Sequence, residues 1–330
     1  MPIETQLPNQ SRAMESAKAA RHVVAFVNEA AGAGPKHRHI AALRHVLQPA
    51  GFEVHVCSQF DELTQLAAEL RSEDQLRAVV AVGGDGTVGA VLNATDPGTP
   101  ICVLPLGTEN LLAKYLQMSS RPERIRELLE LGVTVQLDAG RANGRLFALM
   151  ISAGFDAEVV RRVHEGRNGN ITRWAYAKPI WQAIRTYNYP EVRLSGELVG
   201  PQQERVGRWV FGVNLPRYAR NLPIAPAAVG NDGQLDWCVF GRGSLSVGLW
   251  YLWHVVWRRH HRLASVQTFR EGACRLEALD PDAVVPYQLD GDLGGVLPVT
   301  VETIPGRLTV LVMPQVAERL GYSVAAHRMS

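Results

Sequence analysis

The chain reads as an α/β N-terminal domain with a parallel sheet, followed by a mainly antiparallel β C-terminal domain. Three observations predict this. Strand-like and helix-like segments alternate up to about residue 138, strand candidates separated by turns dominate after it, and glycine turns follow successive strands of the first half. Alternation of this kind builds a parallel sheet with helices on both faces, whereas a run of strands favours antiparallel pairing. At 330 residues the chain is long enough for two cores of ordinary size.

Taken in order, residues 1–20 lack the apolar core of a signal peptide and read as a flexible lead-in. HVVAFVN is the first strand, and a helix follows from about Lys36 to Gln48. FEVHV is the second strand, with Ser58 at its end, and Asp61 to Leu70 form the next helix. Ala78 to Val82 are five apolar residues without polar alternation, which suits a parallel strand covered on both faces. Gly83, Gly84 and Gly86 then turn the chain around Asp85, and Thr87 is placed to cap a helix running to about Ala94. After the strand ICVLP, Pro105 and Gly107 turn the chain and Thr108 opens a helix through Tyr115. The domain boundary is expected near residues 138–145. Beyond it RLFALMIS, EVRLSG, GRWVFGVN, LDWCVF, ACRLEAL, LPVTVET and RLTVLVMP read as separate strands. The chain thus divides into 21–140, 141–312 and a tail, 313–330, expected to pack back on the first domain.

A formal charge of +2 with 20% charged residues gives no case for a nucleic-acid partner. Cys57, Cys102, Cys238 and Cys274 are scattered, with no CxxC pair, and read as reduced core thiols of a cytosolic protein. The apolar window Leu245 to Trp257 is interrupted by His254 and falls short of the ~20 residues that span a bilayer. The longer stretch 244–263 reads as a helix with Trp250, Tyr251, Trp253 and Trp257, ending in Arg258, Arg259, His260, His261 and Arg262. It suits either a membrane interface or a core-packed helix with a solvated basic end. Oligomeric state is not legible.

Three loops at the carboxyl ends of strands, VNEAAGAG, GGDGT and PLGTEN, form the candidate site, since ligands of open α/β sheets collect there. A strand, a glycine turn and a helix N-terminus make an anion site. Asp85 would repel phosphates unless a metal stands between, so the combination points to a nucleotide used with Mg²⁺. A lone GxG would equally serve as a tight βα turn.

GGDGT followed by PLGTEN resembles the diacylglycerol kinase catalytic family, with NAD kinase as a more distant relative. Asn28, Glu29, Ala30, Ala31 and Gly32 stand where that family has NPxSG; Gly107 to Asn110 fit GTxN; VGNDGQLD resembles its second-domain xxNDGxLD, and YQLDGD its DGE motif. The resemblance covers nearly the whole chain. It implies an NAD kinase/diacylglycerol kinase-like fold and an ATP-dependent lipid kinase acting on a lipid alcohol such as diacylglycerol or a sphingoid base, cytoplasmic and peripherally associated with membrane. It implies an ATP site from Asn28 to Gly32, Ser58, Gly83 to Thr87, Gly107, Thr108 and Asn110, with Asp85 organising Mg²⁺ through water. It also implies a structural Mg²⁺ held by Asp232 with the carbonyls of Val229 and Gln234, although NDG alone makes a plain turn. Asp292 would be the general base, with Asp290 orienting it or joining the Mg²⁺ network, although LDGD alone caps a hairpin. The family has Glu where this chain has the shorter Asp292, many bacterial members have Asp where it has Leu111, and Val88, Gly89 and Ala90 replace a more polar run. An NAD kinase-like enzyme, or a catalytically weak lipid-binding regulatory protein, are the alternatives.

Overall fold

The computed structural model describes residues 20–28, 36–165, 186–196, 204–216 and 222–323. The predicted lead-in therefore lies outside the described residues, apart from Ala20.

The first half is β1 (His22–Val27), α1 (Lys36–Leu47), β2 (Glu53–Cys57), α2 (Phe60–Ser72), β3 (Leu76–Gly83), α3 (Asp85–Ala94), β4 (Ile101–Pro105), α4 (Leu111–Tyr115) and α5 (Pro122–Leu131). β1 pairs in parallel with β2 and β3, and β3 with β4. All of β3 is buried because its alternate side chains meet different helices. Val80 and Val82 pack with Leu43 and Leu47 of α1 and Leu128 and Leu129 of α5. Val79 and Ala81 pack with Leu63 of α2 and Val88 and Val91 of α3 on the other face. Arg77, near the start of β3, is buried with its charge engaged: its guanidinium donates to Leu129 O (2.6 Å) and Gly132 O (3.0 Å), closing the end of α5 whose last carbonyls have no intrahelical donor.

The second half is β5 (Val133–Ala142), β6 (Arg145–Phe147), β7 (Met150–Gly154), α6 (Phe155–Glu165), β8 (Val192–Gly196), β9 (Arg205–Gly207), β10 (Trp209–Val213), β11 (Leu235–Phe240), α7 (Leu245–Val256), β12 (Val266–Glu271), β13 (Ala273–Ala278), β14 (Pro286–Leu289), β15 (Asp292–Val296), β16 (Val299–Val312) and α8 (Pro314–Arg319). Its six-stranded sheet has the order β12-β11-β10-β7-β14-β15 and is antiparallel throughout. This sheet packs on β5, β8, β13 and β16 through Phe147, Ile151, Val210, Trp237, Leu276, Tyr287 and Val301.

Two readings of the sequence are corrected here. LPVTVET and RLTVLVMP are one strand, β16: Pro305 and Gly306, which read as a turn, are absorbed as a register shift between Ile304 and Leu308. RLFALMIS, by contrast, is two strands broken at Ala148 and Leu149. The early part of β16 pairs with β13, its end lies parallel to β4 through Val310 and Ile101, and β5 accompanies it along both parts. The parallel sheet of the first half and the sandwich of the second are therefore joined through shared strands.

That junction grips α3. Arg307 of β16 donates to Leu92 O and Thr95 O at the helix's C-terminal end, and Asn93 exchanges two 2.9 Å hydrogen bonds with the backbone of Leu146. Arg319 donates to Tyr115 O, and the Tyr322 hydroxyl to Gln136 O. The four cysteines are buried and free, and burial pushes each thiol up to about 12. Among the described residues no helix is long and apolar enough to cross a membrane.

Candidate active site

The glycines of GGDGT serve close packing first. A Cβ on Gly83 would lie 2.2 Å from Thr87 Oγ1, and one on Gly107 would lie 2.5 Å from Gly84 Cα. The GGDGT and PLGTEN loops thus touch backbone to backbone, which only glycine permits. Thr87 does not cap the helix: Gly84 is the N-cap, α3 begins at Asp85, and the Thr87 hydroxyl is buried in the first turn without a partner. Nor does a helix open at Thr108, which is exposed; α4 begins at Leu111. Its N-cap is Asn110, in the left-handed region (φ 50°), whose side chain accepts from Gly107 N (2.9 Å) and donates to Gly107 O (2.8 Å).

Asp85 supplies the cap that Asn110 does not. Its two oxygens accept from Leu111 N (2.9 Å) and Leu112 N (3.1 Å), the first amides of α4. Burial raises its carboxyl above the usual 3.8, against the lowering by those two amides. Leu111, which departs from the polar residue common at this position, contributes through its backbone.

The two remaining carboxylates sit at a hairpin tip. Asp290 and Gly291 join β14 to β15 with φ of 54° and 91°, the two positive values of a two-residue type I′ turn. Asp290 fills the break between β6 and β7: Oδ2 accepts from Ala148 N (2.7 Å), and Oδ1 from Leu149 N (2.8 Å) and Met150 N (2.9 Å). Burial nevertheless pushes its carboxyl up to about 6, with the charge of Asp85 adding to the rise. Buried Gln288 braces the tip, accepting from Gly291 N (2.7 Å) and donating to Ser152 Oγ (2.8 Å), which bonds Asp156 Oδ2 (2.5 Å).

Asp292 follows the turn and lines the same cavity as Asp290. Its side chain is 44% exposed, with Arg145 Nη2 at 3.6 Å and His164 Nε2 at 3.7 Å, and a Cβ on Gly86 would lie 3.4 Å from its Oδ2. Between them a cavity of about 320 Å³ is lined by Asn28, Gly86, Asn93, Arg145, Asp290 and Asp292 among others. First-turn amides of a helix lack intrahelical acceptors, and Gly86 has no side chain to cover them. The cavity thus joins the first turn of α3 to a carboxylate from the opposite half of the chain. Ser58 is half-buried after β2, while Glu29, Ala30, Ala31 and Gly32 lie outside the described residues.

The donor set fits Mg²⁺ in the manner of kinases. Asp85 and Asp290 are engaged by backbone amides, whereas Asp292 has Arg145 Nη2 at 3.6 Å and His164 Nε2 at 3.7 Å, both beyond hydrogen-bond distance. Mg²⁺ ordinarily uses one or two carboxylates and keeps waters and phosphate oxygens, so a closed protein cage is not required. Among the described residues the one cluster of three candidate ligands is His22, Glu53 and His55, at the β1–β2 edge, where the two imidazoles bond each other (2.9 Å). The NDG loop fits a metal less well. Asp232 Oδ1 accepts from Gln234 N (3.2 Å), Arg270 stands 3.7 Å from Asp232 and 3.2 Å from Asp236, and Val229 is exposed. Arg270 already supplies a positive charge there. The loop's anchor is Asp138, whose oxygens accept from Gly233 N (2.7 Å) and Gly306 N (2.8 Å). Sequence reasoning missed Asp138, Arg145, His164 and Gln288. Each acts through a partner remote in sequence, and only the apolar surroundings of Gln288 in YQL mark it as unusual.

A parallel α/β half, a β-sandwich half and a glycine-lined cleft between them make up the diacylglycerol kinase/NAD kinase type of fold. The chain belongs to the diacylglycerol kinase catalytic-domain family: residues 22–142 match the diacylglycerol kinase catalytic domain, and residues 149–312 match the YegS C-terminal NAD kinase beta sandwich-like domain. The diacylglycerol kinase of Bacillus subtilis (strain 168) is 23% identical over 292 residues, covering 86% of this chain and 93% of that protein. The crystal structure of a diacylglycerol kinase from Bacillus anthracis str. Sterne aligns with a TM-score of 0.63 at 19% identity, covering 90% of this chain and 98% of that one. An NAD kinase from Archaeoglobus fulgidus, solved with ATP, aligns at 0.50 with 12% identity, over 91% and 97% of the two chains. At these identities the likeness to the solved structures is one of fold.

Proposed function

We propose that this family member is an ATP-dependent lipid kinase that transfers the γ-phosphoryl group to the hydroxyl of a lipid alcohol such as diacylglycerol or a sphingoid base. The observation that carries the reading is the cavity in which Asp292 faces Gly86 at the start of α3. Phosphoryl transfer needs little covalent work from a protein beyond positioning and charge neutralisation. The backbone from Gly84 to Gly86 would hold phosphate oxygens, and Arg145, half exposed at the rim, would meet their charge. Asp292 would take the hydroxyl proton as the lipid oxygen bonds to the γ-phosphorus and the bond to the leaving ADP oxygen breaks. His164 would orient that carboxylate. Asp85 and Asp290 would keep their amide contacts and hold the two loops in register. Mg²⁺ entering with the phosphates, reached by Asp292 only through water so that the carboxylate stays free as the base, would neutralise charge on the transferring group.

The test is transfer of label from γ-labelled ATP to a panel of detergent-dispersed lipid alcohols, with NAD as a competing acceptor. Lipid phosphate formed by the parent and lost in Asp292→Asn supports the reading. Labelled NADP alone would replace it with NAD kinase activity, and ATP binding without transfer would leave a lipid-binding regulator.

A further inference from the structure

α7 is apolar on both faces. Gly248, Tyr251 and Val255 turn inward: a Cβ on Gly248 would lie 2.6 Å from the Trp209 ring, and the buried Tyr251 ring packs 4.8 Å from that of Phe240. The opposite face carries Leu249, Leu252, Trp253 and Val256 at i, i+3, i+4 and i+7, exposed by 60, 44, 62 and 54%, and Trp257 continues it at 59%. A helix apolar all round is ordinarily covered all round. Clustered apolar side chains of this size in solvent mark a surface that meets another phase or protein.

The end of the helix argues for one occupant. Arg258 N donates to Val255 O (2.9 Å) and Arg259 N to His254 O (2.7 Å), the bond pair of a Schellman closure. The left-handed residue of that closure is ordinarily glycine, yet here it is Arg258 at φ 54°. Arg259, His261 and Arg262 follow, all exposed, and Trp253, His254, Trp257 and Arg259 border a second cavity of about 270 Å³. A strained arginine beside two exposed indoles suits anionic headgroups with rings at the interface, since indoles settle there and basic side chains meet lipid phosphate.

We infer that the outer face of α7, with Arg258, Arg259 and Arg262, is the surface by which the protein docks on an anionic lipid bilayer. The inference names the partner surface of the proposed lipid kinase and rests on that reading for its purpose. Trp209, beneath Gly248, also stacks 5.1 Å from Phe155, the first residue of the helix that bears His164. One aromatic layer thus joins the docking face to the element beside Asp292.

The test uses the full chain and vesicles of phosphatidylcholine with and without phosphatidylglycerol, read by co-sedimentation and tryptophan emission. The parent should bind the anionic vesicles preferentially, and less as salt rises. Trp253→Ser with Trp257→Ser should weaken binding by about tenfold or more, and each of Arg259→Ser and Arg262→Ser by about fivefold at low salt. Arg258→Gly is the sharpest variant. It should raise the thermal midpoint by ~1–3 °C by relieving the backbone, while weakening vesicle binding about fivefold. Unchanged vesicle binding in the tryptophan double variant, or equal binding to neutral vesicles, would overturn the inference. So would a dimeric parent made monomeric by that variant, since the face would then meet a second copy. No transfer by the parent to detergent-dispersed lipid, with vesicle binding intact, would instead sink the kinase reading alone.

Discussion

Asp85→Asn keeps the shape of the side chain and exchanges one oxygen for an amide NH₂. Leu111 N and Leu112 N are aimed at the two oxygens separately, so one of them now meets a donor. Losing one charge-assisted bond and leaving its amide unpaired costs about 2–4 kcal/mol. Burial, the cause of the raised Asp85 carboxyl, acts in the opposite direction, because Asn carries no charge to desolvate. The net loss for Asn should therefore be about 1–2 kcal/mol, and for Asp85→Ala, which orphans both amides, about 3 kcal/mol. Urea unfolding measures this as a fall in midpoint at unchanged slope. Both variants should also lose transfer, because α4 carries the PLGTEN loop that touches Gly84. If Asp85→Ala and Asp85→Asn unfold within ~0.5 kcal/mol of the parent, the carboxylate does not cap α4. Loss of Mg²⁺ dependence at full stability would then return Asp85 to the metal alone.

Asp292→Asn should lower kcat by roughly 10²–10⁴-fold with little change in the apparent KM for ATP, and near-full activity would move the base elsewhere. Asp292→Glu separates a loop built for the shorter side chain, which will be slow, from one that keeps the family spacing, which will match the parent. Gly86→Ala should stabilise α3 by about 0.5–1 kcal/mol yet raise the apparent KM for ATP, because the new methyl enters the cavity beside Asp292; an unchanged KM would remove Gly86 from the phosphate site. Asp290, at about 6 against a usual 3.8, holds its proton more tightly folded than unfolded, so its contribution is complete below pH 4 and is lost as pH rises through 6. Parent stability relative to Asp290→Asn should drop by up to about 3 kcal/mol between pH 4 and pH 7, and a pH-independent difference would refute the assignment.

Much of the fold was legible because local pattern and tertiary role agree. Ala78 to Val82 read as a strand covered on both faces, and neighbouring valines there do face opposite helices. The glycine loops were legible as a site, but not the reason for the glycines, because Gly84 and Gly107 answer to each other between the loops that follow β3 and β4. Pro305 and Gly306 misled for a physical reason. They punctuate the sequence as a turn, yet Asp138 holds Gly306 N and lets the strand continue. For Asp85 and Asp290 the residue type read as chemistry, and the sequence did not show the distant backbone amides that position both. The sequence left two settings for the tryptophan helix, and exposure of Trp253 and Trp257 removes a fully core-packed one.

The shared strand β16 bears on how the chain is made. Ile101 and Val310 are neighbours in the finished sheet but leave the ribosome some two hundred positions apart. At ~5–20 residues per second, β4 waits on the order of ten to forty seconds for that partner. Until then one side of the nascent parallel sheet is an unpaired edge, open to pairing with another chain. Arg307, which holds the end of α3, arrives equally late. The parallel α/β half is synthesised before the sandwich and is completed only together with it.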